Sequence, residues 1–148
     1  MYRIYKIVIT IVILTMFINF MTTVGVGVYK TIHGLTILYT EGMTGRPGLE
    51  LVESLDIFMI GLVFLIISLG FMKLFLPEFS WFKKFDLPWL KINDFFDLKQ
   101  VVWYALLLTL LITFGTRLVK SDGQWEWNLL VVPAAVLLFA LSAKFMRH

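Results

Sequence analysis

Apolar residues in this chain come in four long blocks separated by short polar connections. The first runs from Ile7 to Tyr29, with no charge between Lys6 and Lys30. The second runs from about Leu49 to Leu76 and carries Glu50, Glu53, Asp56 and Lys73. The third covers residues 100–117, bounded by Lys99 and ending at Arg117, and the fourth runs from Trp127 to Ala143. Crossing the hydrocarbon core takes about 20 apolar residues in a helix, because unsatisfied backbone groups are costly there. The blocks therefore predict an all-α integral membrane four-helix bundle, one membrane domain over residues 1–148. The first block is read as a retained span. It is long for a signal-peptide apolar run, and the chain has no alanine before Ala105 to form a small-residue cleavage site.

Composition agrees with the pattern. The chain is 59% hydrophobic and only 16% charged, against about 25% charged in soluble domains, with a mean hydropathy of +0.87. It has no cysteine, which removes disulfides, thiolate metal sites and thiol nucleophiles. The net charge of +3 is unevenly placed and speaks of topology rather than nucleic-acid binding. Nine basic residues (Arg3, Lys6, Lys73, Lys83, Lys84, Lys91, Lys99, Lys144 and Arg147) fall on the side of the two termini and the middle connection. Four (Lys30, Arg46, Arg117 and Lys120) fall on the other side. The bias toward basic residues in cytoplasmic segments then places both termini in the cytoplasm.

The connections differ in character. Residues 30–48 keep apolar positions at Ile32, Leu35, Ile37 and Leu38, which suits either a helical extension of the first span or an interfacial segment. Gly42, Gly45, Pro47 and Gly48 break the chain before the second helix. The cytoplasmic link, residues 77–99, mixes Trp81, Phe82, Phe85 and Trp89 with lysines, including Lys83 and Lys84. That mixture predicts an amphipathic segment anchored at the lipid headgroups, with specific lipid or protein binding as the alternative. Asp94 and Asp97 stand where they can cap the third helix. Pro133, about two turns into the fourth span, is a candidate kink.

The candidate chemistry lies in the second block. Glu50, Glu53 and Asp56 are spaced by three, so they share one helix face, and Asp56 lies about 9 Å deeper than Glu50. An ionisable group inside a span usually faces the bundle and has a partner. Antiparallel topology puts Arg117, near the end of the third span, at the depth of Glu50 and Glu53, so the expectation is an Arg117–Glu53/Asp56 cluster. Such a cluster either fixes packing and register or forms an ion or proton site; a desolvated Asp56 would suit proton relay. Secondary polar candidates are Glu50, Asn19, Thr22 and Thr23, which could bond across helices or line a path. Gly25, Gly27, Gly61, Ser68 and Gly70 offer small surfaces for close helix approach. His33 and His148 are too few to suggest a haem bundle, and neither a metal site nor a cofactor is expected. No hydrolase, zinc-protease, nucleotide-binding or dinucleotide-binding motif is present, so an enzyme is not expected.

The order "LVESLDIFMIGLVFLIISLGFMKLF", "WLKINDFFDLKQVVWYALLLTLLITFGTRL" and a final apolar helix resembles the YqhA-type family of small integral membrane proteins, found in bacteria with related forms in chloroplasts. The resemblance rests on Asp56 and Gly61, on Asp97-Leu98-Lys99 and on the basic residue Arg117, and it covers roughly Leu49 to Arg147. It implies a multi-span inner-membrane protein and carries no activity with it. Two classes of function stay open. One is a homo-oligomeric channel or transporter for monovalent cations or protons, with an acidic outer site. The other is a structural or accessory membrane protein that binds lipid or a partner.

Overall fold

A computed structural model describes residues 2–77, 92–121 and 127–146. Among them are four helices, α1 (Tyr2–Glu41), α2 (Pro47–Phe75), α3 (Phe95–Lys120) and α4 (Val131–Met146), with a 3-10 turn before α2 (Gly42–Gly45) and another before α4 (Trp127–Leu130). All four apolar segments are long enough to cross a membrane, the fourth when counted from Trp127 to Phe145. The protein is a multi-pass, all-α membrane bundle.

The first helix does not stop at the edge of its span. It continues for eleven residues past Lys30 to Glu41, about 16 Å by helix rise, so residues 30–41 are a helical extension. It ends where Gly42 takes a left-handed backbone (φ 63°), which costs glycine nothing. Arg46 also sits in that region (φ 53°), and Pro47 opens α2 at its first position, where a missing N–H costs no bond.

α1 and α2 pack antiparallel along repeats of seven. On α1 the inner positions are Ile13, Phe20, Gly27 and Gly34; on α2 they are Ser54, Gly61 and Ser68, all three buried. A seven-residue repeat keeps two supercoiled helices in register, and small residues let their backbones approach. A methyl group on Gly61 would lie 2.8 Å from the Thr23 hydroxyl, and one on Gly27 would lie 2.8 Å from the Phe58 ring. The Ser68 hydroxyl, fully buried, donates across the pair to the Ile13 carbonyl at 3.2 Å. Gly27, Gly61 and Ser68 thus act as the close-approach positions expected of them. Gly70 does so toward α3, against Leu98, while Gly25 meets nothing within 4 Å.

The other end of the bundle holds a small core. Ile92, fully buried just ahead of α3, packs with Ile66 and Leu98, flanked by Leu69, Phe71, Leu74, Val101, Val102 and Ala105. Here α3 begins at Phe95, inside the stretch expected to be link. Asp94 caps it by accepting from the Phe95 amide at 2.6 Å, and Asp97 reaches back to accept from the Asn93 amide at 3.0 Å. The capping role expected of these two acids holds. The remainder of the link, with Trp81, Lys83, Lys84 and Trp89, lies outside the described residues.

α4 differs from expectation at Pro133. The proline is the third residue of α4, so its absent N–H falls in the first turn, where no intrahelical acceptor is needed. It follows a 3-10 turn and starts the α-helix instead of kinking it.

Candidate functional site

Where α1 passes the first turns of α2 and the last turn of α3, five side chains from three helices meet. Lys30 of α1 lies 3.1 Å from Glu50 and also bonds to Glu53. Glu53 turns its other carboxylate oxygen to Lys120 of α3. His33, one turn past Lys30, places Nδ1 3.7 Å from Glu50. Glu50, Lys30, Glu53 and Lys120 alternate in sign, two lysines balancing two glutamates, with His33 beside Glu50 at the outer end. The glutamates are about a quarter exposed, the lysines more so. Glu53 therefore ties α1, α2 and α3 together with one carboxylate. Partly exposed pairs of this kind are individually weak, and here two share one anion.

Asp56 sits one turn deeper, half-buried. Its Oδ1 accepts from the Thr113 hydroxyl of α3 at 2.8 Å, and no cation pairs with it among the described residues. The Thr113 oxygen is also 2.9 Å from the Thr109 carbonyl, and Thr109 in turn bonds the Ala105 carbonyl, so hydroxyls follow α3 inward at one-turn intervals. By helix rise, Asp56 is about 4.5 Å deeper than Glu53. The two acids share a helix face but not a chemistry: Glu53 is matched by charge and Asp56 by a neutral donor.

The expected cluster is corrected in its cation. Arg117 is exposed and takes no part in the network; Lys30 and Lys120 hold Glu53, and Thr113 holds Asp56. Thr113 and Lys120, seven residues apart, lie about 20° from each other around α3, whereas Arg117 is turned about 40° the other way. That difference decides which base meets α2. Glu50 belongs to the network as its outermost acid. Asn19 and Thr22 do not reach the site; both are exposed, about 100° and 160° around α1 from the inward-facing Phe20. Thr22 bonds the Ile18 carbonyl of its own helix, while Thr23 bonds the Asn19 and Phe20 carbonyls. Lys30, Lys120 and Thr113 were the residues missed. The signal for the first was available, since Lys30 directly follows the first span. Among the described residues no group of three or more His, Asp or Glu could hold a metal ion.

The charge network and the Asp56–Thr113 bond fall almost entirely within one matched region. The chain belongs to the uncharacterized protein family UPF0114. The match covers residues 2–118, in keeping with the YqhA-type resemblance. Its extent differs from the resemblance read from motifs: it includes α1 and stops inside α3, so Lys120 and α4 lie beyond it. No curated protein and no solved structure matches the chain.

Proposed function

We propose that the protein is a homo-oligomeric inner-membrane protein, with both termini in the cytoplasm, that moves protons along a path through Asp56. The observation that carries this reading is the Asp56–Thr113 pair: a carboxyl group in a membrane span whose one hydrogen-bond partner among the described residues is a neutral hydroxyl. Ionisable side chains inside spans mark ion or proton pathways, and an acid held by a neutral hydroxyl instead of a countercation is suited to a proton relay. The hydroxyl ladder of Thr113 and Thr109 extends the polar face along α3. Protons suit the site better than metal cations, because Lys30 and Lys120 already neutralise the outer acids and leave them no free charge with which to gather metal cations.

Purified protein in liposomes with an imposed pH gradient tests this reading. Proton flux is expected to exceed that of empty liposomes, to fall to that background in Asp56→Asn, and to drop partway in Thr113→Val. Flux equal to wild type in Asp56→Asn sinks it.

One observation favours a second reading, an accessory protein that binds lipid or a partner without transport. The outer acids are consumed in a neutral network that pins three helices, as a purely architectural device would be. In that reading Trp81, Lys83, Lys84 and Trp89 of the cytoplasmic link provide the docking surface.

A further inference from the structure

The outward face of α1 carries a pattern that its packing against α2 does not use. Val8, Val12, Thr15, Asn19, Thr22, Val26 and Tyr29 recur at alternating steps of four and three, the a/d spacing of a coiled-coil seam. Val12, Asn19 and Val26 occupy one set of positions; Val8, Thr15, Thr22 and Tyr29 occupy the other. The seam is centred about 130° around α1 from Ile13, Phe20 and Gly27, which face α2. Apart from half-buried Val12, every residue of it is exposed.

Asn19 makes the open face informative. It is twelve residues from Ile7 and ten from Tyr29, near the middle of the span. Its amide makes no hydrogen bond among the described residues, whereas Thr15 and Thr22 on either side satisfy themselves on the Ile11 and Ile18 carbonyls. A free amide facing hydrocarbon is unfavourable, and amide side chains in spans hydrogen-bond across helices. We infer that the seam is covered by α1 of a second copy of this chain, with Asn19 bonded to Asn19 across a two-fold axis.

Three features select a second copy over another occupant. Copies inserted by the same topology run parallel, so a symmetric pair brings each residue to its own equivalent at the same depth. An amide is both donor and acceptor, so it complements itself there. Val12 and Val26 at one seam position, interrupted by Asn19 alone, match the pattern in which a single asparagine fixes the register of parallel helices. The inference deepens the homo-oligomeric part of the proposal above and does not depend on proton movement.

The absence of native cysteine makes the test direct. Thr22→Cys lies in the seam, and Met21→Cys, its exposed neighbour, lies about 100° out of it. Oxidation in native membranes is expected to give a disulfide dimer for Thr22→Cys and little for Met21→Cys. Adding Asn19→Leu to Thr22→Cys should lower the dimer yield several-fold, and adding Asn19→Gln should largely preserve it. Equal yields at positions 21 and 22, or no dimer at either, overturn the interface. An unchanged yield with Asn19→Leu overturns the role of the amide. Loss of this interface with Asp56-dependent flux intact removes the seam alone, whereas cross-linking as expected with no flux removes only the proton reading.

Discussion

The α1–α2 and α3–α4 pairs are both antiparallel and apolar, but they are held together by different means. Between α1 and α2 the backbones approach over buried Gly27, Ser54, Gly61 and Ser68, and a hydroxyl crosses the gap. Between α3 and α4 the described contacts are looser. Trp103 meets Phe139 edge-on at 5.2 Å and donates a long 3.3 Å bond to its carbonyl. The two rings, with Leu106, Leu107 and Leu110, line a partly open apolar cleft of about 200 Å³. In lipid, apolar burial gains little, because the solvent is as apolar as the side chains, so close fit and polar contacts carry helix association. By that measure α1, α2 and α3 form the rigid unit, and α4 is attached to it. The family match, residues 2–118, spans the rigid unit and omits α4.

Added volume at each of the two interfaces breaks the comparison most sharply. Gly61→Leu forces a branched side chain against Thr23, and overpacking of this kind costs about 1–3 kcal/mol. Leu107→Phe puts added volume into a partly open cleft and is expected to change stability by less than about 1 kcal/mol. Thermal unfolding of the two variants in one detergent compares them directly. A Leu107→Phe variant that melts as early as Gly61→Leu would show that the two interfaces are equally tight.

The charge network sharpens the same contrast, since it joins α3 to the α1–α2 pair without involving α4. Glu53→Gln removes the anion shared by Lys30 and Lys120, leaving Lys30 with Glu50 and Lys120 with no acid among the described residues. Because the pairs are partly exposed, the expected loss is about 1–2 kcal/mol, smaller at high salt. Arg117→Gln, which touches none of the network, should stay within about 0.5 kcal/mol of wild type. Denaturation midpoints at low and high salt separate the two. An Arg117→Gln loss as large as that of Glu53→Gln would return Arg117 to the cluster.

How much of this was legible follows from which property each feature rests on. The four spans were legible because lipid leaves a chain few alternatives to apolar helices. Asp94 and Asp97 were legible because capping is local. Gly27, Gly61, Ser68 and Gly70 were legible as close-approach positions by size alone, though size did not distinguish them from Gly25. The partner of Glu53 was not. Choosing between Arg117 and Lys120 turns on 60° around α3, and Lys30 enters only because α1 runs on past the membrane edge. A loop at residues 30–48 would have carried that lysine away. Pro133 was misplaced because the start of α4 is set by a preceding 3-10 turn, which hydropathy does not register.

The smallest effect is expected where the attachment of α4 is weakest. Trp103→Phe keeps an aromatic ring against Phe139 and deletes the indole N–H that reaches the Phe139 carbonyl. The bond is long and exposed, so its loss is expected to cost about 0.5 kcal/mol, at the low end for a hydrogen bond. Since Trp103 lies in α3 and its acceptor in α4, the cost should fall on the junction and leave the rigid unit alone. Amide exchange then provides a finer readout than melting. Protection in α4 should decrease in Trp103→Phe while α1, α2 and the Asp56–Thr113 level of α3 keep theirs. Uniform loss of protection across all four helices would mean that α4 folds as one unit with the others, and the division into a rigid unit and an attached helix would fail.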